Sequence, residues 1–185
     1  MIADIVKDAE SKMTGAVDYT KQDLATIRTG RAHPEMFSKL TADYYGAPTP
    51  LQQLVSFASP EARTMLITPY DMSALPAIER AIRDSDLGVA PSNDGHSIRV
   101  VLPELTEQRR KEFSKLAKGK AEDGKVAVRN IRRHANEAIK KLEKDKEIGE
   151  DDAKRAEKQL DDLTKKYSDQ VEALVKAKEA ELMAV

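Results

Sequence analysis

The sequence predicts an α+β protein: a long antiparallel three-helix bundle that carries a small inserted β/α/β domain. Three observations predict this class. Apolar residues recur at steps of three and four in three segments, at the start, middle and end of the chain. Seven of the eight prolines lie between Pro34 and Pro91, where that spacing is lost. Charged residues make up 34% and aromatic residues 4% of the chain, a composition typical of long solvated helices.

The first helix is predicted from residue 3 to residue 29. Its apolar stripe is typical of a core-facing helix, and Thr20 fills the one polar place in the stripe. We expect the helix to end at Thr29 and Gly30, with Pro34 shortly after, because glycine and proline commonly end helices. The stripe consists of Ile2, Ile5, Ala9, Met13, Ala16, Leu24 and Ile27.

Two longer helices are predicted after Pro103, separated near Gly149. Thr106 is the predicted N-cap of the second helix, and acidic residues 150–152 begin the third. Amphipathic helices of about 40 and about 33 residues must pair, so the short connection makes them antiparallel neighbours and the first helix completes the bundle. Their stripes are Phe113, Ala117, Ala121, Gly124, Val128, Ile131, Ala135, Ala138 and Leu142, then Ala153, Ala156, Leu160, Leu163, Tyr167, Val171, Leu174 and Leu182.

Residues 31–103 predict the inserted domain. One short helix is marked by Leu75, Ile78 and Ile82, and Asn93-Asp94-Gly95 signals a tight turn before an apolar run. The strand-like stretches lie within residues 36–45, 51–58 and 62–68, the apolar run is residues 98–102, and the segments 46–50 and 59–60 are predicted to bound the stretch 51–58.

The predicted domains are therefore a bundle of residues 1–30 with 104–185 and an insert of residues 31–103. Proline-containing linkers restrict local dihedral angles without fixing the orientation of two domains, so we expect hinge motion. The predicted hinge residues are Gly30, Arg31, Ala32, His33 and Pro34 on one side and Pro103, Glu104, Leu105 and Thr106 on the other.

Several classes of function are excluded by composition and motifs. Cysteine is absent, which excludes disulfides and thiolate metal sites and fits a reducing cytoplasm. The first residues carry charge in every turn, unlike a signal peptide or a membrane span. His33, His96 and His134 have no second ligand at metal spacing, and no catalytic motif occurs. We therefore expect a monomeric cytoplasmic protein that is not an enzyme and needs no metal or cofactor.

Charge is distributed unevenly along the chain. Residues 109–133 contain ten basic and three acidic residues, although the net charge of the whole chain is −1. On a helical wheel of about 100° per residue, the basic residues of the second helix cluster within about 40° of one line. Arg132 lies at the border of the apolar stripe, three residues from Arg129. The clustered residues are Lys111, Lys115, Lys118, Lys125, Arg129, Arg133 and Lys140.

Two interpretations of this basic face compete. Crowded guanidinium groups repel one another unless a polyanion neutralises them, and arginine donates in bidentate geometry to phosphate, so RNA backbone is the predicted ligand. The face lacks an aromatic side chain, which favours folded RNA over stacked single strands. The alternative is a structural or chaperone-like helical bundle whose basic face is solvated, and an enzyme is the third possibility.

Five motifs resemble the ribosome recycling factor family, in order and across the whole chain. No single motif would suffice, but five in sequence are hard to obtain otherwise. They are IRTGRA at residues 27–32, YYGAPTPL at 44–51, SDLG at 85–88, LTEQRRK at 105–111 and VAVRNIRR at 126–133.

The resemblance implies an L-shaped molecule, similar in outline to transfer RNA, that binds the 70S ribosome after termination. It implies that the bundle contacts large-subunit ribosomal RNA while the GTPase elongation factor G drives a movement that separates the subunits. Messenger RNA is then released for a new round of translation. The resemblance also implies that Arg110, Arg129, Arg132 and Arg133 matter for ribosome binding. The basic face adds Lys111, Lys118 and Lys125 as candidate contacts.

Overall fold

The computed structural model describes residues Met1–Ala184, which divide into two compact units. The bundle unit consists of Met1–Leu24 and Lys115–Glu179, and the sheet unit consists of Ala25–Ser114 with the residues from Ala180 onward. The predicted fold class, long helices with a small antiparallel sheet domain, is confirmed. The elements in chain order are α1 (Ile2–Ala25), β1 (Thr41–Tyr44), β2 (Ala47–Pro50), α2 (Leu51–Leu54), β3 (Val55–Glu61), β4 (Thr64–Pro69), α3 (Leu75–Arg83), β5 (Pro91–Asn93), β6 (Ile98–Val101), α4 (Glu107–Lys144) and α5 (Glu150–Met183).

The core of the bundle unit is built from small and branched side chains of α1, α4 and α5. Ala residues keep the helix axes close, while Ile139 and Leu160 fill the space between them. Ile139, Val17 and Val175 are buried although the predicted stripes omit them. One buried cluster consists of Ala9, Ala135, Ile139, Ala153, Ala156 and Leu160.

The closest approach of a glycine to another side chain in the bundle joins α4 to α1. A Cβ atom built on Gly124 would lie 2.3 Å from Oγ1 of Thr20. That hydroxyl donates a hydrogen bond of 2.8 Å to the carbonyl of Ala16, one turn earlier, so its position is fixed. The absence of a side chain at Gly124 therefore allows α4 to pack closely against Thr20 of α1.

Helix α1 ends at Ala25, four residues before the predicted end. Ile27 and Arg28, which the stripe and its extension placed in the helix, are instead buried in the sheet unit. The Arg28 guanidinium donates to the carbonyl of Pro103, which lies 75 residues further along the chain. Tertiary contacts thus override the local helical pattern.

Helix α4 is capped at both ends by local hydrogen bonds. The Thr106 hydroxyl accepts from the Arg109 N–H at 3.1 Å, as the predicted N-cap requires. At the other end Lys146 has a φ of +60°, and the N–H of Glu147 donates to the carbonyl of Leu142 at 2.9 Å. This is the Schellman arrangement, and it places a lysine where glycine is usual.

Glycine in place of Lys146 is expected to stabilise the bundle by about 0.5 kcal/mol. An L-residue in the left-handed region costs roughly 1–2 kcal/mol, whereas glycine loses about 0.5–1 kcal/mol more in backbone entropy on folding. The urea midpoint at an unchanged m value measures the effect. Lys141→Gly, one turn inside the helix, is the control and should destabilise; a lower midpoint for Lys146→Gly would contradict the argument.

The sheet unit contains two antiparallel sheets. Strands β1 and β2 form a two-stranded sheet, and the four-stranded sheet has the order β3-β4-β6-β5. Helix α3 buries Leu75, Ile78 and Ile82 in the same core as Met65 and Ile67 of β4. This core is independent of the bundle cluster and gives the sheet unit its own stability.

Four predicted boundaries in this unit are wrong. Strand β3 does not end before residue 59 but continues to Glu61, because the irregular pairing between Ala58 and Glu61 accommodates Pro60. Residues 46–50 form a turn and strand β2 rather than a strand boundary, because their prolines lie on the edge of a two-stranded sheet, where a missing N–H is tolerated. Residues 51–54 form the helical turn α2 before β3 begins. Residues 34–37 form a 3-10 turn capped by His33, so the first strand begins only at Thr41.

Candidate nucleic-acid interface

The predicted basic face lies on α4, and its members differ in how freely their charges reach solvent. Of the seven predicted RNA contacts, five belong to the bundle unit, and two, Arg110 and Lys111, belong to the sheet unit. The five differ in their ion pairs: some pair with carboxylates of α5, one pairs with a carboxylate of α4 itself, and one has no such partner among the described residues. The five are Lys118, Lys125, Arg129, Arg132 and Arg133.

Arg132 is the most firmly positioned of the arginines. Its Nε is buried and has no hydrogen-bond partner, while its terminal NH1 lies 3.2 Å from Oδ1 of Asp161 on α5. The side chain is 40% exposed, so the stem packs at the edge of the core and the guanidinium remains accessible. The sequence predicted this border position but not the carboxylate partner.

Arg129 and Arg133 flank Arg132 on α4 and are both exposed. Arg129 pairs with Glu122, two turns earlier, at 2.8 Å. Within residues 1–184 no carboxylate pairs with Arg133. Exposed pairs of this kind contribute little to stability, so either guanidinium can change partner at small cost.

Two lysines of the face, Lys118 and Lys125, are less available than the wheel predicted. Lys125 is 25% exposed and its Nζ lies 2.5 Å from Oε2 of Glu172 on α5. That hydrogen bond and the lysine charge lower the pKa of Glu172. Lys118 is exposed but lies 3.6 Å from Glu179, also on α5. A helical wheel treats a helix in isolation. In a bundle, residues at the edge of the polar face lie next to the neighbouring helix and can pair with its carboxylates.

Arg110 and Lys111 lie in the sheet unit, near the start of α4. Arg110 is half-buried, and its Nε has no hydrogen-bond partner in the described part of the chain. Lys111 is exposed and pairs with Glu107, one turn earlier, at 3.3 Å. Both residues therefore belong to a different unit from the three bundle arginines, and they have different neighbours.

Hydrogen bonds tie the first predicted hinge segment, and the residue just before the second, to the turn between β3 and β4. The Ala32 N–H donates to the carbonyl of Ala62 at 2.7 Å, and the Leu102 N–H donates to the carbonyl of Arg63 at the same distance. Arg28 donates to the carbonyl of Pro103, between these two strands of chain. Burial lowers the pKa of Arg28, and the charges of Arg109 and Arg63 lower it further.

A second cluster, in the sheet unit, was not predicted as a site. The Tyr44 hydroxyl donates to Oδ2 of Asp71 at 2.8 Å, and the Tyr45 hydroxyl lies 3.5 Å from the same atom. Hydrogen bonds from Ser73 and from Tyr44 lower the pKa of Asp71, and the bond to Asp71 raises the pKa of Tyr44. The tyrosines were visible in the sequence, but Asp71 lies 26 residues further along the chain.

The bundle face suits a ligand that carries several phosphates. Its arginines are partly exposed, and the carboxylates that pair with them are exposed as well, so phosphate oxygens can replace those carboxylates. In residues 1–184 no group of three or more histidine, aspartate or glutamate side chains is arranged to hold a metal ion. No helix in that range combines the length and apolar character of a membrane span.

The comparison with known proteins decides the family. The sequence model described as ribosome recycling factor matches residues 20–183. The chain belongs to the ribosome recycling factor family. The ribosome-recycling factor of Kocuria rhizophila is 63% identical over 183 residues, 99% of each chain. The family consists of non-enzymatic translation factors.

Two solved structures of ribosome recycling factors resemble this chain along its length. A solution structure of the ribosome recycling factor matches with a TM-score of 0.79 and 42% identity, over 100% of this chain and 98% of the other. Models of the T. thermophilus ribosome recycling factor and the E. coli elongation factor G, bound to the E. coli post-termination complex, give a TM-score of 0.70 and 39% identity over 100% of both chains.

Proposed function

We propose that this chain recycles ribosomes. It binds the 70S ribosome after termination and, together with the GTPase elongation factor G, promotes separation of the subunits and release of messenger RNA. The observation that carries the proposal is the family match over residues 20–183. The structural relative bound with elongation factor G on a post-termination complex supports the choice of partners.

Within this proposal, the α4 face contacts large-subunit ribosomal RNA through phosphate. Arg132, Arg133 and Arg129 are the principal contacts, because their guanidinium groups are partly or fully exposed on one helix surface. Lys118, Arg110 and Lys111 are secondary contacts. Lys125 contributes least, because its ammonium group is half-buried and held by Glu172.

The proposal also includes the setting and the motion. The chain works as a monomer in the cytoplasm, where terminated ribosomes are found, and it makes or breaks no covalent bond. RNA contacts hold the bundle on the ribosome, and movement of the inserted domain about residues 30–34 and 103–106 transmits the push of the GTPase. The hydrogen bonds of Ala32 and Leu102 fix where those segments attach to the sheet unit.

The experiment that tests the function uses the purified chain with 70S post-termination complexes. Subunit separation, measured by light scattering, is expected only when the chain, elongation factor G and GTP are all present. Without the factor, the chain is expected to bind vacant 70S ribosomes with an affinity that falls as salt rises, because phosphate contacts release counterions.

Absence of ribosome binding at any salt concentration would refute the proposal and leave a structural or chaperone-like bundle with a solvated basic face. Binding without subunit separation, in the presence of a matched elongation factor G, would keep the RNA contact and refute the recycling role.

A further inference from the structure

The β1–β2 hairpin is closed by a residue that the turn itself does not favour. Tyr45 and Gly46 are the two residues between the strands, and their φ angles are +50° and +80°. A two-residue turn with both φ angles positive is most easily formed by Asn-Gly or Gly-Gly. A bulky aromatic residue in the left-handed region is strained, so folding alone does not explain Tyr45.

Burial does not explain Tyr45 either. Its side chain is 83% exposed, the largest exposed fraction among the large hydrophobic residues of the described chain. The ring is nonetheless held in place, because it packs edge-on against Tyr44 with centroids 4.6 Å apart and its hydroxyl lies 3.5 Å from Asp71. An ordered, exposed aromatic ring in a strained turn is typical of a contact surface.

More exposed side chains flank the same aspartate. Tyr70 is 73% exposed and Met72 is 44% exposed, one on each side of Asp71 in the chain. The carboxylate of Asp71 is immobilised by Ser73, whose N–H and hydroxyl both donate to Oδ1, at 2.9 and 2.7 Å. We call this surface the tyrosine patch: Tyr44, Tyr45, Tyr70, Asp71 and Met72.

The charge of the tyrosine patch indicates the kind of ligand. Residues 41–50 and 69–73 contain no lysine or arginine, and Asp71 is the charged member of the patch. Its carboxylate disfavours a nucleic acid, whose phosphates it repels. Aromatic faces next to carboxylates instead attract guanidinium and ammonium groups, by cation–π contact and by charge. Tyrosine is also enriched at the centres of protein–protein interfaces.

We propose that the tyrosine patch binds an arginine- or lysine-bearing segment of elongation factor G. This inference rests on the proposed function and adds to it the surface of the sheet unit that meets the protein partner. Ribosomal RNA is bound by the α4 face and not by the tyrosine patch. In this proposal, Tyr45 occupies a strained backbone position because its ring contacts the partner at the tip of the hairpin.

The decisive variant is Tyr45→Asn, because asparagine suits the turn better than tyrosine does. Its melting temperature is expected at or above that of the wild type, and its affinity for vacant 70S ribosomes is expected to be unchanged. The elongation factor G concentration that gives half-maximal subunit separation should rise about five- to thirtyfold, as for loss of an interface aromatic residue. Tyr45→Phe keeps the ring and should restore most of the activity.

Removal of charge separates a protein partner from an RNA partner. Asp71→Asn keeps the shape of the side chain and is expected to raise the required concentration of elongation factor G, whereas Asp86→Asn, an equal change in a loop outside the patch, is not. Tighter ribosome binding by Asp71→Asn without the factor would identify RNA as the ligand and overturn the proposal. An unchanged factor requirement for Tyr45→Asn would also overturn it. Failure of the wild-type chain to separate subunits would instead refute the proposed function.

Discussion

Alanine in place of Arg132 is expected to lower the affinity for vacant 70S ribosomes about tenfold to a hundredfold at low salt. A hydrogen bond to a charged group contributes about 1.5–3 kcal/mol, and the partly buried Arg132 guanidinium is already held in place before binding. The slope of the logarithm of affinity against the logarithm of salt concentration should become shallower by about one. Ribosome pelleting or fluorescence titration across a salt series measures both quantities.

Two matched variants distinguish the effect of the position of Arg132 from the effect of losing one positive charge. Arg155→Ala removes the same charge from an exposed residue of α5, where Arg155 pairs with Asp152 at 2.8 Å, and it should leave binding unchanged. Asp161→Asn removes the internal partner of Arg132 and should tighten binding slightly, because the guanidinium no longer exchanges one anion for another. Equal losses for Arg132→Ala and Arg155→Ala would show that only net charge matters and that the site is assigned wrongly.

Alanine in place of Gly124 is expected to destabilise the bundle by about 1–2 kcal/mol. Alanine gains about 1 kcal/mol over glycine in a helix, but overpacking a core costs about 1–3 kcal/mol. Here the clash dominates, because the new Cβ would lie 2.3 Å from the Thr20 hydroxyl, which must rotate and lose its bond to Ala16. Urea unfolding followed by circular dichroism measures the change.

Gly119 offers the matched control, since it lies in the same helix and a Cβ built there meets no atom within 4 Å. Gly119→Ala should therefore stabilise by about 1 kcal/mol, the intrinsic helix preference alone. Thr20→Ala in the Gly124→Ala background should recover part of the loss, because it removes the two nearest atoms. Stabilisation by Gly124→Ala would mean that α1 and α4 can separate at this point at no cost.

The long helices were the most predictable part of the fold. Periodic apolar residues, the Thr106 cap and the acidic start of α5 are local signals, and the structure agrees with each. The misses also have physical causes. Helix α1 ends at Ala25, and Arg28 just beyond it donates to the carbonyl of Pro103, 75 residues away in the chain, a contact that local periodicity does not show. Strand β2 was missed because its prolines read as a loop, although they lie on a sheet edge.

The basic face was predictable as a surface but not as a set of free charges. A helical wheel places Arg132 and Lys125 correctly with respect to the core, since it needs only the helix period. It does not show that Asp161 and Glu172 on α5 face them, because that depends on how two helices are rotated against each other. Asp71 was not predicted for the same reason: its contact with Tyr44 joins two separate elements of the sheet unit and depends on their packing.

The division of the chain also sets an order of events during synthesis. The bundle unit joins Met1–Leu24 to Lys115–Glu179, so α1 is made first and waits for about ninety residues before its partner helices exist. Helix α4 is capped locally at both ends, and its pairing with α5 depends on contacts near in sequence, so the helical hairpin forms quickly once translated. Until then the apolar side of α1, with Met13 and Val17, has no native cover, whereas the residues of the sheet-unit core, all between Ala32 and Leu102, have already been made.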